Sequence, residues 1–236
     1  MIAGIVEEGA GGVAGSAGGA SSPLVFIGTH SSDLSASSQA TVTYTAADIG
    51  TPAADRVVFI ALAGESASSL GGVYVPTCTI AGVTATVASS RQITRFDLAY
   101  IFYAEVPTGA SGDIVLTLSG AEWYSIGIGV YTATGLSSSA PHDAQGQTGL
   151  AVDPTVNITT TIDIPITNGF ALIAGNVGDE VTVTATGFTA VDMNLSQALS
   201  THTIGRKTGA GSHSLTLDWT PSGEHLDCVL AAASWG

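Results

Sequence analysis

Residues 57–63 read VVFIALA, seven apolar side chains in a row. The run has the length of a strand and falls far short of the ~18 residues of a membrane-spanning helix. Val57, Val58 and Ile60 are β-branched, and apolar residues fill both faces of the alternation. Such a segment reads as a central strand covered on both sides. The neighbouring sequence carries the same signature. Residues 24–29 are apolar, and 39–45 alternate, with Val42 and Tyr44 on one face and Thr41, Thr43 and Thr45 on the other. Residues 78–88 read CTIAGVTATVA, two strands meeting around Ala81-Gly82. Residues 97–106, DLAYIFYAEV, end in the turn Pro107-Thr108-Gly109. Residues 113–118 point Ile114, Leu116 and Leu118 one way, and 123–131 alternate Ile126, Ile128 and Val130 with glycines. Thr, Val, Gly and Ser dominate throughout, so helix signals are poor.

The second half of the chain echoes the first. RVVFIALAG at 56–64 corresponds to GFALIAG at 169–175, and TIAGVTATV at 79–87 to VTATGFTAV at 183–191. TGASGDIVLTL at 108–118 corresponds to TGAGSHSLTL at 208–217, and 123–135 and 225–236 close each half with an apolar strand. Each half is expected to present one apolar face that the other covers. The expected fold is therefore all-β, an antiparallel β-sandwich of jelly-roll type with two pseudo-repeated halves. The boundaries read as an arm over 1–22 and a body over 23–236. Within the body, the first half spans about 55–135, a polar linking loop 136–153, and the second half about 155–236.

Residues 1–22 include GAGGVAGSAGGASS at 9–22, which contains too much glycine for a stable helix and too little apolar surface for a core. Such an arm is either a tail or an extended segment that orders on a partner. It lacks the basic residue and long apolar run of a secretory signal, so the expected place of synthesis and assembly is a cytoplasm. The chain carries 19 acidic and five basic residues, a net charge of −14. Arg56, Arg91, Arg95, Arg206 and Lys207 are scattered, which argues against nucleic-acid binding. Nothing in the sequence calls for a membrane. Cys78 and Cys228 lie in strand-like segments and read as small buried apolar side chains.

Motifs that carry chemistry are missing. Gly9 to Ala14 matches a loose dinucleotide pattern, yet no strand precedes it and no helix follows. There is no P-loop, HExxH, GxSxG, EF-hand loop or zinc-type Cys/His spacing. Neither a catalytic residue, a metal site nor a cofactor is expected. His142-Asp143, in the long loop, is the best polar pair and a candidate ligand contact. Carboxylates are plentiful, among them Asp143, Asp163, Asp192, Asp218 and Asp227, but sequence does not pair two across a cleft as a glycosidase requires. Trp219 continues the Leu215, Leu217 stripe and reads as core. Asn157-Ile158-Thr159 and Asn194-Leu195-Ser196 match the glycosylation pattern and read as ordinary strand and turn residues.

The buried strand 57–63, the TIAGVTAT hairpin, the strand end YAEVPTG at 103–109 and the closing strand 126–135 resemble the β-sandwich modules of tailed-bacteriophage particles and gene-transfer agents. The likeness covers roughly 55–236 and concerns strand and turn pattern, not a site. It implies a non-enzymatic virion structural protein: a capsid decoration, head fibre or spike, or tail adhesin. Its partners would be capsid or tail subunits and further copies of itself, by analogy a trimer. Attachment is expected through the arm, with Gly9, Gly11, Gly12, Gly15, Gly18 and Gly19 letting backbones approach closely as a strand is added to a neighbour. The alternative is a carbohydrate-binding or adhesin sandwich that contacts a host-surface glycan.

Overall fold

The computed structural model describes residues 23–67, 74–93, 96–150, 156–178, 181–197, 200–219 and 227–236. They form strands and no helix. In the first half these are β1 (Val25–Asp33), β2 (Thr41–Asp48), β3 (Val57–Ser66), β4 (Pro76–Ile80), β5 (Val83–Thr84), β6 (Thr86–Gln92), β7 (Asp97–Glu105), β8 (Ser111–Leu118) and β9 (Trp123–Ala133). In the second they are β10 (Asp143–Leu150), β11 (Val156–Ile164), β12 (Phe170–Val177), β13 (Val183–Thr186), β14 (Ala190–Gln197), β15 (Ser200–Thr208), β16 (Gly211–Trp219) and β17 (Asp227–Trp235).

All pairings are antiparallel, and the halves repeat one topology. The sheet β1-β9-β3-β7-β6 faces β2-β8-β4-β5, and β10-β17-β12-β15-β14 faces β11-β16-β13. The orders β1-β9-β3-β7 and β2-β8-β4-β5 are those of a jelly roll. β5 and β6 act as one strand that changes sheets, since Val83 pairs with Ile80 while Thr86 pairs with Tyr103. All four sequence echoes fall on topologically equivalent strands. The hairpin at Ala81-Gly82 is present, with φ of 50° and 79° at its two central residues, as a tight two-residue turn requires.

One expectation needs correction. The halves are not single sheets that cover each other; each is a complete two-sheet sandwich. Three cores result. Val58, Ile60 and Leu62 of β3 face the first sandwich's interior, while Phe59, Ala61 and Ala63 face the second sandwich. Ala171 and Ile173 of β12 face their own interior, and Phe170, Leu172 and Ala174 face the first sandwich. The layers therefore stack as four sheets. The inner two are buried on both faces, which is why VVFIALA shows no alternation. The outer sheets alternate, as where β2 turns Thr41 and Thr43 to solvent and Val42 inward. The boundaries shift accordingly. The first half begins with β1, and the expected loop at 136–153 contains β10, the first strand of the second half. Its polar, glycine-containing sequence suits an edge strand pressed against β6: a Cβ on Gly146 would lie 2.7 Å from the carbonyl oxygen of Ser90.

The two inner sheets pack with a pseudo-two-fold relation. β6 lies over β10 and β1 over β14; β7 lies over β17 and β9 over β15; β3 lies over β12. Each contact thus has its exchanged counterpart, as in an isologous dimer. The strands at the centre run the same way. Phe59 near the start of β3 meets Phe170 at the start of β12, with ring centroids 5.6 Å apart at 85°. Near the other end, the Asn176 amide donates to the Gly64 carbonyl. The pseudo-axis therefore runs along the strands. Close approach depends on glycine in β9. A Cβ on Gly129 would stand 2.8 Å from Ile204 Cγ2 and 2.9 Å from Tyr131 Cε2. Gly129→Val is expected to lower stability by about 2 kcal/mol through overpacking. Urea melts of the variant check this, and an unchanged midpoint would contradict the contact.

Candidate functional site

His142 immediately precedes β10 and Asp143 opens it. The two are brought together with Asp163 of β11. His142 Nε2 lies 3.3 Å from Asp163 Oδ2, both side chains being about half exposed. Asp143 Oδ2 accepts the Asp163 backbone N–H at 2.9 Å, and Oδ1 accepts the Gln145 amide at 2.8 Å. Both carboxylate oxygens of Asp143 are thereby engaged in stitching β10 to β11. A small hollow of about 210 Å3 lies beside His142, walled by Pro141, Pro165 and Ile166. Among the described residues no three His, Cys, Asp or Glu side chains are placed to hold a metal ion. The glycines of the arm, Gly9 to Gly19, lie outside the described residues, as does the side chain of Trp219.

Cys78 and Cys228 are buried in different sandwich cores and unpaired. Burial pushes both thiols up to about 12, which leaves them without thiolate chemistry at neutral pH.

Where the body begins, the loop following β2 and the end of β9 enclose a groove of about 720 Å3, lined by Pro23, Val25, Ile27, Gly50, Pro52 and Thr134 among others. Val25 is 54% exposed there. Arg56 holds this end together. Its guanidinium is buried and donates only to main-chain carbonyls: Nε to Val106 at 2.7 Å, Nη1 to Ile49 and Gly50 at 3.2 and 2.5 Å, and Nη2 to Thr108 and Gly109 at 2.9 and 2.7 Å. All five acceptors are carbonyls of two loops, the one between β2 and β3 and the one between β7 and β8. This arginine is a structural clamp, a role invisible in a sequence where it is one scattered cation.

The interface between the sandwiches is polarised along its length. At the groove end it is aromatic. Trp235 stacks on Phe170 with centroids 5.6 Å apart and meets the Phe59 ring edgewise at 4.7 Å. Midway, Asp192 accepts the Tyr131 hydroxyl and pairs with Arg206, each at 2.8 Å, and the guanidinium lies over the Phe26 ring. At the far end the interface is polar. Glu65 and Asp97 are cross-strand partners in the first half, and Asn176 and His202 are cross-strand partners in the second. When Gly64 is set equivalent to Gly175, the two pairs occupy equivalent positions. Asn176 Nδ2 donates to Asp97 Oδ1 at 2.5 Å, and Asn176 Oδ1 lies 2.7 Å from His202 Nδ1. Ser200 Oγ lies 3.4 Å from His202 Nε2 and 2.8 Å from Ser125 Oγ.

The electrostatics follow from burial. Asp97 is 1% exposed, and desolvation, with the Glu65 and Asp227 carboxylates nearby, holds its proton affinity well above the usual carboxylate range. Desolvation pushes Glu65 up to about 7, against a hydrogen bond from Ser200 that favours its charged form. His202 is fully buried, which lowers it to about 3 and keeps the imidazole neutral. Burial thus favours the neutral form of all three groups in this seam. Neither Glu65 nor Asp97 stands out as a site in the sequence. The signal was the phase of the alternation: positions 57, 59, 61 and 63 face the seam, so 65 does too, and 97 continues 99 and 101.

No protein-family model matches the chain, and no curated protein matches it. Among solved structures the chain is similar to an anti-sigma factor domain-containing protein. That match has 8% sequence identity and a TM-score of 0.24, and it covers 80% of this chain and 78% of the other. At that TM-score the likeness carries no argument about fold or role.

Proposed function

We propose that this chain is a non-enzymatic structural component of a tailed-phage particle, displayed on its surface and attached through residues 1–22. The observation that carries the reading is the back-to-back pair of jelly rolls. Its polar groups are consumed in bracing the body: Arg56 by five carbonyls, Asp143 by β10 and β11, Asp192 by Tyr131 and Arg206. Rigid bracing suits a spacer or ornament. The groove lies beside Pro23, the first described residue, so attachment through residues 1–22 would act at one end of the molecule. The strand and turn pattern shared with phage sandwich modules supplies the particle context. Further copies of the chain and capsid or tail subunits are the partners this reading implies, with avidity making up for weak single contacts.

The glycan-binding alternative calls for exposed aromatic rings or a calcium site. Among the described residues the exposed large apolar side chains are Val25, Val75, Val83, Val87, Ile166 and Val191, none of them aromatic. That supports the structural reading over the adhesin one. The test is a truncated protein lacking residues 1–22. It is expected to fold with the melting temperature of the full chain and to lose co-sedimentation with particles assembled in its presence. Undiminished incorporation of the truncated protein would overturn the proposal.

A further inference from the structure

We infer that the polar end of the seam is a proton-operated latch, in which Asp97 and Glu65 of one sandwich hold the other through Asn176, His202 and Ser200 while protonated, and let that end part when they ionise. The geometry carries this. Five strands converge on the site from both sandwiches, and all the side chains concerned point into the seam: Glu65 from β3, Asp97 from β7, Ser125 from β9, Asn176 from β12, and Ser200 and His202 from β15. Asp227, at the start of β17, faces the same seam. Among the described residues no cation enters it; the ion pair of Arg206 with Asp192 belongs to the middle of the interface. Ionising Asp97 would leave a carboxylate with one amide donor, Asn176 Nδ2, and with Glu65 and Asp227 beside it. Oε2 of Glu65 is buried without a hydrogen-bond partner, and its charge is supported by the Ser200 hydroxyl. A buried carboxylate that lacks a counter-ion is strongly destabilising.

The pseudo-symmetry explains why the site is built from unlike pairs. Two copies of the first half joined through this face would set Glu65 and Asp97 against their own duplicates. The second half places Asn176 and His202 there instead, so the acidic pair meets an amide and a neutral imidazole.

The direction with pH is fixed by the three groups. Asp97 and Glu65 bind protons more tightly folded than unfolded, so their contribution is complete at low pH and is lost as pH rises through their raised folded values, which for Glu65 is about 7. His202 binds its proton less tightly when folded, so its contribution is complete above about 6.5 and fades toward about 3. Between pH 5 and 6.5 the carboxyls oppose the imidazole, and above 6.5 the imidazole no longer contributes a slope.

The experiment is amide hydrogen exchange on the full chain from pH 5 to 8, corrected for intrinsic rates and read on peptides covering 174–178 and 200–203. The opening constant there is expected to rise about tenfold per pH unit between pH 5 and 6.5, while peptides covering 57–61 and 232–235, at the aromatic end, change less. In the Asp97→Asn, Glu65→Gln double variant only the imidazole remains, so the slope between pH 5 and 6.5 is expected to reverse sign. An unaltered slope in that variant, or equal change at both ends of the seam, would overturn the latch. Should the variant fail to fold, infrared titration of the native chain decides. A protonated carboxyl band that persists at pH 6 and fades as pH rises supports the latch, and its absence at pH 6 removes it.

Discussion

Arg56→Met is expected to destabilise the body by about 4 kcal/mol, which for a chain of this size lowers the melting temperature by roughly 10 °C. The side chain is 1% exposed and packs as well as binds, so methionine fills part of its volume and supplies none of its donors. The carbonyls of Ile49, Gly50, Val106, Thr108 and Gly109 would all lose their charged partner. Leaving a buried acceptor unpaired costs about 1–3 kcal/mol. The total stays well below the sum because Gly50, Thr108 and Gly109 lie near enough to the surface to recover water. Arg56→Lys keeps the charge but has three donors on one nitrogen, which cannot reach carbonyls on two separate loops. It is expected to fall between the parent and the methionine variant. Chemical denaturation of the three proteins gives the ranking, and a methionine variant within about 1 kcal/mol of the parent would show that the clamp is dispensable.

Trp235→Ala is expected to cost about 3–5 kcal/mol and to expose the seam to solvent. Trp235 is 1% exposed and touches the Phe59, Phe170 and Tyr103 rings, so it belongs to both sandwiches at once. Its indole N–H also donates to the Ser139 carbonyl at 2.9 Å, tying the segment between the halves to the last strand. Truncation removes three aromatic contacts and that hydrogen bond together. The large cavity would sit between two units that each keep a core of their own. Unfolding of the variant is therefore expected to lose cooperativity, with dye binding to the opened faces preceding loss of strand signal. A single sharp transition at the parental midpoint would contradict that picture.

Much of the architecture was legible because burial writes itself into strand periodicity. VVFIALA announced a strand covered twice, TVTYT announced one covered once, and the echo of 56–64 in 169–175 paired equivalent strands correctly. What the alternation left open was how many layers the covered strands lay between. A doubly buried strand has the same sequence whether its second neighbour is a sheet of its own half or of the other. The strand at 143–150 was missed for a different reason. At the sheet edge, beneath β6, glycine is needed for fit at Gly146, and QGQTG carries little apolar signal. For the site, His142 and Asp143 were correctly seen as neighbours of interest, but Asp163, which joins them, lies on another strand 20 positions away. Glu65 and Asp97 were hidden because their partners come from the opposite sandwich, and no local pattern reports a contact across 79 positions.

Because the pseudo-axis follows the strands, corresponding turns of the two halves surface at the same pole. Ser66 at the end of β3 and Val177 at the end of β12 both lie at the pole opposite Pro23. A molecule gripped by its Pro23 pole would have insertion points after those two strand ends at its tip. Guest peptides spliced into both would be presented as a pair by each polypeptide, giving bivalent capture without any oligomer.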